Sequence, residues 1–354
     1  MQFDLNLFVK EHFINLLRHP ISDSSKYKAD ATLLNQNENA LGSPLTKWYN
    51  RIPERNNENL LNAIALVKKI SPDLFLLVNG YQEGIDLLFR VFCNPGSDNV
   101  IICPPCEDGY KVIAELNQVE VKMASLLDVF QLDLINIERI CNVNSKMIFI
   151  GSPNNPTGNA MQREDIELIL NNFNGLVVLD ETYVNFSRQK SFLSELHDYP
   201  NLIILQNFDI AWGLAGLQVA MMFSSPKIIS FLNAIKLSVT PNSPTTELML
   251  KALNEVGMVN DMIKELVQMR AALKRVLEKF PFIVTVYPSD ANFLLIKMNN
   301  AAMVFDFLLQ KSILVKNVSD QLNCENCLRI TVGTEEENTK LIVALVEYYD
   351  HIKQ

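Results

Sequence analysis

The sequence predicts a three-layer α/β fold, a mostly parallel sheet covered on both faces, with a smaller α+β unit behind it. Three observations carry this. Short, continuously apolar runs recur along the first two thirds of the chain, and amphipathic stretches separate several of them. Strands that are apolar at every position, not only at alternate ones, are buried on both faces, as in a parallel sheet with helices on each side. Near residue 245 the pattern gives way to a long helical stretch and then to shorter strand-like runs.

Taken in order, residues 1–30 read as a helical arm, 31–244 as the large α/β domain and 245–354 as the small α+β domain. The strand candidates of the large domain are LFLLV (74–78), NVIIC (99–103), VEVKMA (119–124), KMIFIG (146–151), GLVVLD (175–180), LIILQNF (202–208) and AMMFSS (220–225). They are short and rich in β-branched residues, as strands require. IDLLFRVF, after Gly84, puts Ile85, Leu88, Phe89 and Phe92 on one helical face, and REDIELILNNF does the same with Ile166, Ile169, Leu170 and Phe173. In the small domain TTELMLKALNEVGMVNDMIKELVQMRAALKRVLEKF reads as one long helical pattern. FIVTVYPS, NFLLIKM, ILVKNV and LRITVG follow as strands, and EENTKLIVALVEYYDHI as a closing amphipathic helix.

A chain of 354 residues, 48% hydrophobic, is long enough for about two domains and a large core. Its formal net charge is −9 and no Lys/Arg cluster exceeds a pair, so there is no nucleic-acid footprint. The start, MQFDLNLFVKEHF, lacks the basic region and apolar core of a signal peptide. No apolar run is long enough to span a bilayer. The expected location is the cytoplasm, with no membrane partner. Six cysteines occur, four of them as CPPC (103–106) and CENC (324–327). A four-cysteine zinc site is one reading of the two pairs, but their separation is far from zinc-module spacing, and reduced structural thiols are favoured.

In doubly wound sheets ligands bind outside the carboxyl ends of strands. The turns VNGYQEG, CPPCEDGY, GSPNNPTG and LDETYVNF therefore mark where function belongs. Read singly, Asn154-Asn155-Pro156 is a turn and Asp180 a strand-end cap. SPNNPTG (152–158) followed by LDETY (179–183) is more specific. With LNQNENALG (34–42), NRIPE (50–54), NGYQEGIDLLFRVFCNPG (79–96), ANFLLIK (291–297) and CLRITVGTEEEN (327–338), these motifs resemble the class I/II aminotransferases of fold type I across nearly the whole chain. The likeness is greatest to histidinol-phosphate aminotransferases. It implies the fold-type I fold, pyridoxal phosphate as cofactor and a homodimer with its active sites at a two-fold interface. It also implies that Asp180 faces the pyridine nitrogen, that Asn155 and Tyr183 meet the ring's phenolate oxygen, and that Arg329 and Asn37 meet substrate. Such a cofactor does the electronic work while protein groups tune it, and an Arg suits bidentate pairing with an anionic substrate group.

The resemblance fails in one neighbourhood. The family's cofactor loop reads roughly S-K-A-F-G-L-A-G-L-R, and residues 209–218 here read DIAWGLAGLQ. With GLAGL as anchor, Ile210 stands where the Schiff-base lysine belongs. An isoleucine has neither the nitrogen for an imine nor a proton to relay. Gln218 stands for the arginine that grips the cofactor phosphate, and Asp209 for a serine that donates to it. Ile52 stands for a tyrosine reaching across from the partner subunit. Tyr81 and Gln82 replace an Ala-Asp pair at the helix start that cradles the phosphate. Glu107 replaces the aromatic residue that stacks on the ring. With every group ionised, the pocket is three charges more negative than the family pattern, because two cations are lost, two anions gained and one anion lost.

The expected protein is thus a histidinol-phosphate-aminotransferase-like member of the family that no longer transaminates by the usual mechanism. Its acidic pocket would favour a small-molecule amine or amino acid over a phosphate. Two other readings stay open. One is an active aminotransferase with a relocated lysine, at Lys236, Lys111 or Lys47. The other is an enzyme or binding protein independent of pyridoxal phosphate, using the carboxylates and Tyr183.

Overall fold

The computed structural model describes residues 5, 9, 10, 13, 32, 34, 37–45, 49–53, 57–236 and 241–353. Most of the expected arm at 1–30, and Lys47, lie outside the described residues. The large domain begins with α1 (Glu58–Lys68), β1 (Phe75–Asn79), α2 (Gly80–Phe92) and β2 (Asn99–Ile102). It continues with α3 (Gly109–Leu116), β3 (Glu120–Met123), α4 (Leu134–Ile140), β4 (Ser145–Gly151) and α5 (Arg163–Asn172). It closes with β5 (Leu176–Asp180), β6 (Leu202–Asn207), β7 (Val219–Phe223) and α6 (Pro226–Ile235).

Every run proposed as a strand in this domain overlaps one. The seven strands form a single sheet in the order β1-β7-β6-β5-β4-β2-β3. β3, β2, β4, β5 and β6 are parallel, and β7 is antiparallel to both β6 and β1. The carboxyl ends of β1, β2, β4, β5 and β6 therefore share one edge. The central strands are apolar throughout because both faces are covered. Along β5, Val177 and Leu179 enter one apolar core while Leu176 and Val178 enter the other. Burying a side chain of this size stabilises the fold by roughly 1.5–3 kcal/mol.

The helices follow their apolar stripes. On α2, Ile85, Leu88, Phe89 and Phe92 are all at most 1% exposed. The Glu83 carboxylate accepts from the Asn79 N–H at 2.5 Å, which satisfies one donor at the helix start. On α5, Ile166, Ile169 and Leu170 are buried, and Phe173 caps the helix instead of continuing it. There the Asn171 and Asn172 side chains donate to the Glu167 and Leu168 carbonyls.

The small domain is built from α7 (Ser243–Ala252), α8 (Val256–Leu277), β8 (Ile283–Val286), β9 (Phe293–Met298), α9 (Ala301–Gln310), β10 (Lys316–Asn317), β11 (Cys327–Thr331) and α10 (Glu335–Ile352). Its sheet is antiparallel, in the order β10-β11-β9-β8. The long helical stretch is two helices, divided by a short 3-10 turn at Leu253–Glu255. Met249, Leu253, Val259 and Ile263 pack into a core of the large domain, whereas Leu273 and Leu277 belong to the small domain's own core. The two cores thus change over within α8, some twenty residues past the change in sequence texture at 245.

Candidate functional site

The carboxyl edge of the large sheet gathers the polar turns. Asp180 ends β5 and is 8% exposed. Its Oδ2 accepts from the Tyr81 hydroxyl at 2.7 Å and from the Tyr110 hydroxyl at 2.8 Å. Its Oδ1 accepts from the Thr182 N–H at 2.9 Å. Tyr81 lies in the first turn of α2, directly after β1, and Tyr110 in the first turn of α3, after β2. Two strand ends that are not neighbours in the sheet thus deliver two phenols to one carboxylate. Burial, and then the nearby Asp180 charge, push both phenols well above the ordinary tyrosine range.

A second polar chain runs from the small domain to the large one. Arg329, on β11, donates from Nη1 to Asn155 Oδ1 at 2.5 Å, and Asn155 Nδ2 donates to Glu107 Oε2 at 2.5 Å. Asn155 follows β4 and Glu107 follows β2, so this chain crosses the domain boundary. The Arg329 guanidinium also lies over the Phe293 ring, 5.4 Å from its centroid. Tyr183 meets the same ring edge-on at 5.2 Å. Burial, then the Asp180 and Asp108 charges, raise the Glu107 carboxyl, opposed by Asn155 and Arg329. Burial raises the Tyr183 hydroxyl in the same way, with Asp180 adding to it.

The loop between β6 and β7 closes on its own backbone. Leu214 N–H donates to the Phe208 carbonyl and Gly213 N–H to that of Ile210. Trp212 is 7% exposed and edge-on to Phe208, with ring centroids 5.3 Å apart. Ile210 is half-buried and packs against the apolar core, as an aliphatic side chain should. Asp209 points the other way chemically. Its Oδ1 is buried with no hydrogen-bond partner among the described residues, and burial raises its carboxyl. Asn207, at the end of β6, likewise has a buried Oδ1 without a described partner, while its amide nitrogen faces the Thr182 hydroxyl at 3.5 Å. Gln218 has φ 52 and is exposed. Its Oε1 lies 2.9 Å from where a Cβ on Gly80 would stand, so the carboxamide rests on the start of α2.

The structure brings together Asp180 and Tyr81 in one group, and Asn155, Glu107 and Arg329 in another, with Tyr183 beside Phe293. Tyr81 is a finding in itself, because its hydroxyl serves Asp180 and not the helix start where Gln82 stays exposed. Asn37 is exposed with φ 56, and no contact among the described residues joins it to the Asp180 group. Its neighbour Glu38 holds the Arg51 guanidinium and the Ile52 N–H, each at 2.6 Å. Lys111 is exposed on α3. Lys236 is 3% exposed and its Nζ donates to the Leu77 carbonyl of β1 at 2.8 Å. Sequence reasoning missed Tyr110 and Asn207. Tyr110 had a signal, since it ends the CPPCEDGY turn that was singled out. Asn207 had none beyond its place at a strand's end. No group of three or more His, Cys, Asp or Glu among the described residues is arranged to hold a metal.

Comparison with known proteins decides the family. The model of "Aminotransferase class I and II" matches residues 35–345. The chain belongs to the class I and II aminotransferases. The histidinol-phosphate aminotransferase of Flavobacterium psychrophilum is 40% identical over 345 residues, which is 97% of this chain and 98% of the relative. This aminotransferase homologue is similar in fold to the histidinol-phosphate aminotransferase from Clostridium acetobutylicum, with a TM-score of 0.77 at 22% identity over 84% of this chain and 90% of that one. The enzyme from Sinorhizobium meliloti, solved in complex with pyridoxal-5'-phosphate, gives a TM-score of 0.77 at 19% identity over 85% of this chain and 83% of that one. No helix among the described residues of this aminotransferase homologue is long and apolar enough to cross a membrane.

Proposed function

We propose that this aminotransferase homologue does not transaminate, and that its pocket accepts a small organic amine instead of a phosphate-bearing cofactor. The observation that carries the reading is Ile210, an aliphatic residue packed on the core in the loop whose sequence pattern calls for an imine-forming lysine. Without that amine no cofactor imine forms and no proton passes to and from the substrate carbon. The surroundings support the reading. A phosphate dianion needs donors and cations, and here it would meet Asp209 with a buried oxygen unpaired among the described residues and Gln218 lying on Gly80. Two like unit charges about 4 Å apart repel by about 4 kcal/mol at an effective dielectric of about 20. The residues present do not fit pyridoxal phosphate. The Asp209 and Asn207 acceptors, without a partner among the described residues, suit an ammonium donor.

A relocated lysine gains no support at the two candidates among the described residues. Lys236 is spent on the outer edge of the sheet, where a lysine blunts the open strand β1, and Lys111 faces solvent. We also infer a cytoplasmic homodimer. Leu41, Leu45 and Ile52 are 97%, 61% and 52% exposed, an apolar surface on one stretch that a second copy would cover.

The deciding experiment titrates the purified protein with pyridoxal phosphate, follows the imine absorbance and maps any borohydride-trapped adduct by mass spectrometry. No band and no adduct is the expected result. A stoichiometric adduct on one lysine would sink the reading and name the nucleophile. A calorimetric comparison of L-histidinol with histidinol phosphate tests the ligand class. The unphosphorylated amine is expected to bind at least as tightly, and a clear preference for the phosphate ester would refute an amine site.

A further inference from the structure

The CENC stretch at 324–327 plays no part in the reading above. Cys324 opens a turn that the Cys327 N–H closes on the Cys324 carbonyl at 3.0 Å. Asn326, at the third position, has φ 57, a conformation asparagine accepts more readily than most residues. A turn of this kind holds its first and fourth Cα atoms within about 7 Å, and a disulfide spans Cα atoms roughly 4.4–6.8 Å apart. The Cys327 sulfur turns back onto the same turn, where its Sγ donates to the Glu325 carbonyl at 3.7 Å. Both cysteines are 0% exposed, yet the two residues between them, Glu325 and Asn326, are exposed.

The two sulfurs are not equivalent. Cys327 pairs across the sheet with Lys297. Cys324 lowers the Cys327 thiol, opposed by burial and aided by the Lys297 charge, while Cys327 and burial raise Cys324. Such an arrangement makes one thiolate the nucleophile and keeps its partner as a proton-bearing thiol. CPPC at 103–106 provides the contrast. Cys103 and Cys106 enter different apolar cores, and burial raises both thiols.

We propose that Cys324 and Cys327 form a site of reversible dithiol–disulfide chemistry, with a water-sized peroxide as oxidant. The Cys327 thiolate attacks one oxygen of hydrogen peroxide, the O–O bond breaks, and hydroxide leaves and is protonated to water. Cys327 is now a sulfenic acid. The Cys324 sulfur attacks it, the S–O bond breaks, and the hydroxyl leaves as water with the Cys324 proton. Two thiols and one peroxide have become one disulfide and two waters. A small dithiol reverses the reaction by exchange and is itself oxidised to a disulfide. The site has reach. Gln321 and Asn323, just before the turn, donate to Asp108 and to the Leu126 carbonyl of the large domain, and Arg329 lies two residues beyond it.

The test treats the folded, reduced, full-length protein with hydrogen peroxide, then denatures, alkylates and maps it by mass spectrometry. The count of alkylatable thiols should fall from six to four. The peptide carrying Cys324 and Cys327 should be lighter by two hydrogens, and dithiothreitol should restore both. In Cys324→Ser a sulfenic acid should accumulate at Cys327 and be captured by a cyclic 1,3-diketone; in Cys327→Ser residue 324 should remain an unmodified thiol. Retention of all six thiols would overturn the proposal. So would oxidation that falls on the half-buried Cys141 while 324 and 327 stay reduced. The wild-type map decides even where a variant does not fold.

Discussion

At the scale of single residues, Asp180 is the most heavily supported group in the site. Removing one of its phenol donors leaves a buried carboxylate oxygen short of a partner. Tyr110→Phe is therefore expected to cost about 1.5–3 kcal/mol in urea unfolding, with no comparable loss for Phe at an exposed tyrosine. Glu107 gives a pH prediction. Its carboxyl is raised in the folded protein, chiefly by burial, so the folded state holds the proton more tightly than the unfolded one. The stability this provides is fully present below the unfolded value, roughly pH 4, and is lost as pH rises through the folded value. Glu107→Gln keeps an acceptor for Asn155 and removes the titration. Its thermal midpoint should gain on the native protein as pH rises from acid towards neutral; an unchanged difference across that range would show that Glu107 does not couple to folding. The same scale tests the lost chemistry. Ile210→Lys alone is expected to give no imine band with pyridoxal phosphate, whereas Ile210→Lys with Asp209→Ser and Gln218→Arg should restore one.

Among the elements, the start of α2 is the most demanding. Gly80 has φ +76, and an added Cβ would meet the Gln218 Oε1 at 2.9 Å. Gly80→Ala is expected to destabilise by about 1–2 kcal/mol from the backbone alone, and Gln218→Ala should relieve only the contact, not the strain. How much of this layer was legible depends on what each residue does. The central strands of the large sheet could be read because burial on both faces makes their positions apolar, and α2 and α5 because their stripes have helical spacing; the edge strand β3, EVKM, is partly exposed and carries a weaker pattern. The reversed direction of β7 could not, since VAMMF is as apolar as a parallel strand and direction is set by the loop before it. The break between α7 and α8 was hidden because LNE carries no proline or glycine. Asp180, Asn155, Glu107 and Arg329 were found by motif, but their pairing was not. A sequence does not say that Tyr81 turns from the helix start to the carboxylate, or that Glu107 answers Asn155.

For the whole molecule, the exposed apolar stretch around Leu41 and Ile52 bears on assembly. A homodimer is expected by light scattering, and Ile52→Asp should weaken it, raising the fraction of monomer on dilution. A monomer in the native protein at high concentration would end that expectation and leave the stretch to another partner. The Arg329–Asn155–Glu107 chain bears on how the domains sit together. Arg329→Ala should lower the midpoint of unfolding and leave Asn155 with one partner fewer, a loss that hydrogen exchange on β11 can localise.

The long helix α8 has a consequence for how the chain can be divided. Its first half supplies a wall of the large domain's core, and its second half closes the small one, so neither domain owns it. A gene cut after residue 244, where the sequence changes character, would yield a fragment missing Met249, Leu253, Val259 and Ile263 from its interior. That fragment is expected to aggregate on expression. A fragment extended to include α8 would instead carry a bare stripe at Leu273 and Leu277. The chain has two domains to the eye and one indivisible unit of inheritance.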